Sequence, residues 1–206
     1  MSSRRNNAEL NARRGKLFVI SGPSGVGKGS VVRRLLARDP GGLGYSVSYS
    51  TRRPRPRERP GHDYVFVTPD RFEDMAIAGD FLEWAEVFGH RYGTAAEPVE
   101  RMRAEGRDVV LEIDVQGARQ VKERVPDSVL VFLAPPTMEE LERRLRSRGT
   151  EDDAKLAHRL EKAAWEMDQR SWFDHVVVND DLGEATAQVE AIIQESRNPT
   201  GGSTHP

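Results

Sequence analysis

The chain has 206 residues, 37% hydrophobic and 31% charged, with a formal net charge of -2 and no cysteine. That length and composition suit one folded domain with a full core, and they exclude disulfides, thiolate catalysis and Cys-based zinc sites. The balanced charge argues against a nucleic-acid or membrane-surface binder, the apolar runs Leu17–Ile20 and Val129–Ala134 are too short to cross a bilayer, and with no signal-type segment before the first strand the cytoplasm is the expected compartment.

In chain order, residues 1–14 carry four Arg and one Glu and read as a flexible basic arm. Leu17–Ser21 predicts a strand, followed by a glycine-rich turn and a helix through about Arg38. Residues 44–95 form a β-rich insert, with strands over Tyr45–Tyr49, Tyr64–Val67 and Phe81–Phe88 and a short helix at Pro69–Ala78. Asp108–Val115 predicts a strand and Gln116 to about Arg124 a helix. Ser128–Leu133 is a strand closed by Pro135-Pro136. Thr137 then caps a helix, with Glu140 three residues on as a capping box. Residues 148–170 are helical and densely charged, a candidate lid. His175–Val178 is a strand, Gly183–Glu195 the last helix, and 197–206 a disordered tail with too little apolar surface to bury. Short strands apolar on both faces, alternating with helices, predict an open, doubly wound parallel α/β sheet with helices on both faces. The domain then spans 15–196: a core of 15–43, 96–147 and 171–196, the inserted lobe 44–95 and the lid 148–170.

The turn after the first strand reads Gly22-Pro23-Ser24-Gly25-Val26-Gly27-Lys28-Gly29-Ser30. Gly-x-x-x-x-Gly-Lys between a strand and a helix is a phosphate loop. Glycines let the backbone aim its N–H groups inward, the helix start adds free N–H groups and its dipole, and Lys28 brings a mobile charge to the β- and γ-phosphates. The position after the lysine is usually Ser or Thr, whose hydroxyl meets Mg²⁺; here it is Gly29, so Ser30 or a water stands in its place.

Residues 51–60 hold five Arg and three Pro. A nucleic-acid patch, a solvated linker and an anion-binding loop all fit that composition. Flanking hydroxyls at Ser46–Thr51 and Tyr64 favour a bound phosphate, which Arg grips bidentately.

Several strings, in order, resemble guanylate kinases: Val-Ser-Tyr-Ser-Thr-Arg-Arg-Pro-Arg, Gly-His-Asp-Tyr-Val-Phe-Val, Phe-Leu-Glu-Trp-Ala-Glu, Tyr-Gly-Thr, Leu-Glu-Ile-Asp-Val-Gln-Gly (111–117), Phe-Leu-Ala-Pro-Pro (132–136), Arg-Gly-Thr-Glu (148–151) and Val-Val-Val-Asn-Asp (176–180). The likeness spans about residues 16–195. It implies a phosphate-loop kinase fold with a nucleoside-monophosphate-binding lobe, and transfer of phosphate from ATP to GMP, with dGMP as a second acceptor and Mg²⁺ as cofactor. It implies that Ser48, Arg52, Arg55, Tyr64 and Tyr92 hold the GMP phosphate and that Glu83 and Thr94 read guanine. Arg144, Arg148 and Arg159 match lid-side arginines that close on the donor phosphates. Asn179 and Asp180, just after the last strand, are candidates for the adenine side.

Glu112 and Asp114 lie two apart at the end of a predicted strand, so both point toward the ligand crevice. Asp114 is the candidate for Mg²⁺ through water. Glu112, where guanylate kinases commonly carry Asp, is the candidate for a contact to guanine or an Arg. Three other readings have their own tests: a peptide-binding guanylate-kinase-like module, which would release no ADP; a phosphosugar acceptor, which an acceptor panel separates; and a nucleic-acid binder, marked by steep salt dependence. Oligomeric state is left open.

Overall fold

The computed structural model describes residues 13–39, 41–56, 58–147 and 153–198. The chain opens with Leu17–Ser21 (β1), Lys28–Arg38 (α1) and Leu43–Tyr45 (β2). Tyr49–Ser50 (β3), Val65–Phe66 (β4), Pro69–Ala78 (α2), Phe81–Val87 (β5) and His90–Ala95 (β6) follow. Ala96–Ala104 (α3), Asp108–Glu112 (β7), Val115–Arg124 (α4) and Val129–Ala134 (β8) return to the centre. Met138–Arg146 (α5), Asp153–Asp168 (α6), a 3-10 turn at Gln169–Trp172, His175–Val178 (β9) and Leu182–Arg197 (α7) complete it.

Two sheets result. The main one has five strands in the order β2-β7-β1-β8-β9, every neighbouring pair parallel. β1 sits in its middle and is buried along its whole length, which is why it reads as an unbroken apolar run. Its alternate residues face opposite layers. Phe18 and Ile20 join the side chains of α1, α5, α6 and α7; Leu17 and Val19 join those of α3 and α4. The smaller sheet runs β4-β3-β6-β5, and Phe72 and Met75 of α2 pack on Phe81 of β5.

The helix signals act as local chemistry predicts. Thr68, Asp114, Thr137 and Asp181 each accept hydrogen bonds from free N–H groups at a helix start. At Thr137 half of the capping box forms: Thr137 Oγ1 accepts from Glu140 N at 3.1 Å, while the Glu140 carboxylate turns away to Arg143 and Arg144, both at 2.7 Å.

Four departures from the expected elements have physical causes. The strand expected over 45–49 is divided: residues 43–45 pair with β7 in the main sheet, and only Tyr49–Ser50 enters the small one. The β7 strand stops at Glu112, because Asp114 leaves the ladder to cap α4 through Gly117 N at 3.0 Å. β6 and α3 lacked a sequence signal. β6 starts His-Arg-Tyr-Gly, and α3 follows Ala95, which has no capping side chain, and buries only Val99 and Arg103. Finally, the expected tail began at 197, yet Arg197 ends α7 and its guanidinium reaches Asp108 at 2.7 Å and Asp39 at 2.8 Å. The rest of that tail from 199, and residues 1–12 of the expected arm, lie outside the described residues.

Candidate functional site

The loops at the carboxyl ends of the parallel strands open into one cavity of about 850 Å³, with the small sheet as its far wall. This is the crevice where open α/β sheets bind ligands. Ser24, Gly25, Gly27, Lys28, Gly29 and Ser30 line its near side. Gly27 caps α1 with φ 104°, a conformation costly for any residue with a Cβ, and a Cβ there would also lie 2.5 Å from Asn179 Nδ2. Lys28 Nζ donates to the carbonyls of Gly22 and Pro23 at 2.6 and 3.1 Å, so the ammonium is folded onto its own loop. Gly22, Pro23 and Val26 are buried beneath the loop and do not line the cavity.

Gly29 has a spatial reason. A Cβ at this position would come within 3.1 Å of Glu112 Oε2 and 3.3 Å of Arg33 Nη1. The Glu112 carboxylate therefore crowds the place where most phosphate loops carry a hydroxyl. Ser30 Oγ, the expected substitute, accepts from Arg33 Nη2 at 3.3 Å.

The far wall holds Ser48, Arg52, Arg55, Tyr64, Glu83 and Tyr92, all on the small sheet or its loops. Arg52 is buried, with its guanidinium carbon 4.8 Å from the centre of the Tyr64 ring. Glu58 takes both of its terminal nitrogens at 2.6 Å, a bidentate pair. The hydrogen bond from Arg52, then that from Arg55 N, hold the Glu58 carboxyl below its usual range against the effect of burial. The Tyr64 and Tyr92 rings meet edge to face, centroids 5.9 Å apart. Burial, reinforced by Glu112, pushes the Tyr64 hydroxyl up to about 12.

Glu83 is 3% exposed and carries the most informative titration. Burial raises its carboxyl to about 7, against the opposing hydrogen bond from Thr94 Oγ1 to Oε1 at 2.6 Å. Thr94 is itself buried and reaches the cavity only through Glu83. Behind them, a Cβ on Gly117 would lie 2.2 Å from Glu83 Oε2, so the glycine at the start of α4 leaves room for that carboxylate.

Glu112, Asp114 and Arg159 also line the cavity. Arg144 and Asn179, expected on the ATP side, are absent from its lining. Asn179 is buried behind the phosphate loop, its Nδ2 donating to Val26 O at 2.7 Å. Arg144 Nη1 donates to Asn179 O at 2.8 Å and Nη2 to Asp180 O at 3.4 Å. These residues brace the loop from outside. Arg148 lies outside the described residues.

Several charged residues of the cavity had not been singled out in the sequence, Arg33, Glu58, Asp63, Lys162 and Glu166 among them. Lys162 and Glu166, one turn apart on α6, point inward. Lys162 Nζ is 3.4 Å from Asp114 Oδ2 and 3.9 Å from Glu166 Oε1. Glu166 is buried, and its carboxyl is raised by that burial while Lys28, Lys162 and the Ser24 N–H pull it down. The usable signal was periodicity: Glu166 falls on the same helical stripe as the buried Leu156 and Ala163, where an isolated surface charge has no place.

The donor set suits a divalent cation held mostly by a nucleotide's phosphates and by water. Asp114 keeps Oδ2 toward the cavity while Oδ1 caps α4, Glu112 lies beside Gly29, and no group of three potential ligands occurs among the described residues. Mg²⁺ is bound in that sparse way, through one or two carboxylates and substrate phosphates.

Comparison with known proteins agrees with this geometry. A family model described as guanylate kinase matches residues 14–196. The chain is 52% identical to a guanylate kinase of Sphingopyxis alaskensis, covering 90% of this chain and 84% of that one. It is 51% identical to a guanylate kinase of Thermus thermophilus, with 91% and 84% covered. The crystal structure of guanylate kinase from Anaplasma phagocytophilum superposes with a TM-score of 0.77 at 33% identity, covering 91% of this chain and 89% of that one. The chain therefore belongs to the guanylate kinase family.

Proposed function

We propose that this chain transfers the terminal phosphoryl group of ATP to GMP, forming ADP and GDP, in the cytoplasm and with Mg²⁺. The observation that carries the reading is the two-walled cavity: a phosphate loop with Lys28 on one side, and Arg52, Tyr64, Tyr92 and Glu83 on the other. One wall suits a triphosphate, the other a purine monophosphate, and in-line transfer needs the two phosphates face to face.

The loop N–H groups and Lys28 hold the donor phosphates. Ser48, Arg52, Arg55, Tyr64 and Tyr92 hold the acceptor phosphate, with Glu58 fixing the Arg52 fork so that little side-chain entropy is lost on binding. Glu83, oriented by Thr94, accepts from guanine N1–H and its 2-amino group. Adenine presents neither donor there and would leave a buried carboxylate unpaired, which is the strong form of discrimination. Arg159 places positive charge around the transferring group, a role the expected lid set gives Arg148 as well, while Arg144 acts from outside the cavity by bracing the loop. Asp114 would hold the metal through water, and Glu112, which lines the same cavity beside Gly29, would share that task. The cation's contribution is to neutralise charge on the phosphates as the bond changes hands. The site offers a clamp and no nucleophile, so the transfer is direct.

The test is an acceptor panel with ATP and Mg²⁺, following ADP release with GMP, dGMP, AMP, UMP and phosphosugars, and Lys28→Ala as the control. GMP should lead, dGMP should react, and AMP should fall behind in kcat/KM by about 10³-fold or more. Lys28→Ala should fold normally and lose about 10²-fold or more in turnover. AMP within tenfold of GMP would refute the guanine assignment, and near-normal turnover of Lys28→Ala the donor assignment.

A further inference from the structure

The β5–β6 hairpin turns on Phe88-Gly89, with Val87 paired to His90 on either side. Both turn residues have positive φ, 53° for Phe88 and 73° for Gly89, and Phe88 is the only non-glycine with positive φ among the described residues. Two-residue hairpins favour such left-handed pairs, but they favour Asn or Asp followed by Gly. A bulky aromatic side chain in that conformation is sterically costly, and such outliers persist where the surroundings hold them.

What holds Phe88 is helix α6. Although 38% exposed, its ring meets the His158 ring edge to face with centroids 5.4 Å apart. The Arg159 guanidinium carbon lies 5.2 Å from the ring centre and Lys162 Nζ 5.4 Å from it. Positions 158, 159 and 162 present one face of the helix, so the ring lies across it. Phe88, Arg159 and Lys162 also line the main cavity, and Phe88 and Arg159 border a second one of about 410 Å³ as well. A cation over an aromatic face is attracted by the ring quadrupole, more strongly where water is excluded. Lys162 is in turn the partner of Asp114.

We propose that Phe88 is a positioning residue, a cation–π latch through which the small sheet docks on helix α6 and sets Arg159 and Lys162 against the cavity. The sheet that carries the acceptor wall thus also carries the contact that orders the cations on the donor side. Binding of GMP to the sheet steadies those cations, and the two substrates assist each other through the ring. The proposal rests on the two-substrate reading of the cavity.

Phe88→Asn tests it, because Asn suits the left-handed turn position while removing the ring. The expected melting temperature equals or exceeds that of the parent chain. The expected kcat with GMP falls about tenfold, with KM for GMP changed less than kcat. Binding of ADP with Mg²⁺, measured by calorimetry with and without saturating GMP, should be tightened by GMP severalfold in the parent and unaffected by GMP in Phe88→Asn. Phe88→Leu, which keeps bulk but no π face, should behave like Asn; Phe88→Tyr should restore both kcat and coupling. The latch is overturned if Phe88→Asn keeps parental kcat and coupling, or if Phe88→Leu does, since packing alone would then suffice. A parent that binds ADP and GMP with no mutual effect also overturns it while leaving the site intact; a parent that binds neither refutes the two-substrate cavity and the latch with it.

Discussion

Glu83 shows how one burial decides both stability and specificity. Its carboxyl titrates near 7 in the folded chain against an ordinary value of 4.5. Between those values the folded state holds a proton that the unfolded state has released, so stability falls as pH rises across that window. Glu83→Gln should flatten this dependence, measurable as melting temperature between about pH 4.5 and 7.5. Guanine requires the ionised form, so function runs the other way. KM for GMP should drop by about tenfold from about pH 6 to pH 8, following ionisation, while KM for ATP stays level. A parallel change in both constants would assign the titration elsewhere. Gly29 makes a second residue-scale case. Gly29→Ser forces a Cβ against the Glu112 carboxylate, at a cost of about 1 kcal/mol and a lower kcat. Shortening the neighbour in Gly29→Ser/Glu112→Asp should recover most of that loss; if the double variant is as slow as the single one, crowding is not the cause.

Among elements, caps and turns were the most legible. Pro69–Ala78 was readable because Thr68 precedes a proline at the first helical position and Gly79 ends the helix with φ 75°. The start of α7 depends on Asp181, whose Oδ1 accepts from Gly183 N at 2.7 Å and Glu184 N at 2.9 Å. Asp181→Ala should cost about 1 kcal/mol, a fall of roughly 2–4 °C in melting temperature, with kinetic constants unchanged. A kinetic change without a stability change would mean that Asp181 acts on the adjoining Asn179 brace. The elements that escaped the sequence were those whose stability is tertiary. β6 is held not only by its hairpin partner β5 but by pairing to β3, far away in the sequence, and α3 buries Arg103 on the carbonyl of Gly15 at 2.9 Å instead of presenting an apolar stripe.

For the whole molecule, binding and anchoring lie at opposite ends of the main sheet. The cavity sits at the carboxyl ends of the strands. At the other end, Asp108 opens β7, accepts from Lys16 N at 2.6 Å and pairs with Arg197 at the last turn of α7. Arg197 also reaches Asp39 after α1, so one side chain joins the end of α1, the start of β7 and the end of α7. Arg197→Ala should lower stability by about 2 kcal/mol, because it strands a buried carboxylate, and should leave KM for GMP and ATP unchanged at temperatures well below melting. A shift in either KM would show that the two ends communicate.

The phosphate loop, the parallel α/β plan and the family were all legible in the sequence. Each of those rests on contiguous residues: a loop motif between a strand and a helix, apolar runs of strand length, and ordered strings from 16 to 195. It also named most of the cavity wall, since Ser48, Arg52, Tyr64, Glu83 and Tyr92 stand in those strings. What each side chain does with its neighbours emerged from the three-dimensional packing. Glu58 turned out to hold Arg52, Asn179 to stand behind the loop, Glu112 to fill the space over Gly29, and Lys162 to reach Asp114 from a helix 48 residues away. Such pairings depend on helix packing and sheet register across long sequence separations. Charge, reach and burial there are set by the fold, and residue type alone carries no sign of them.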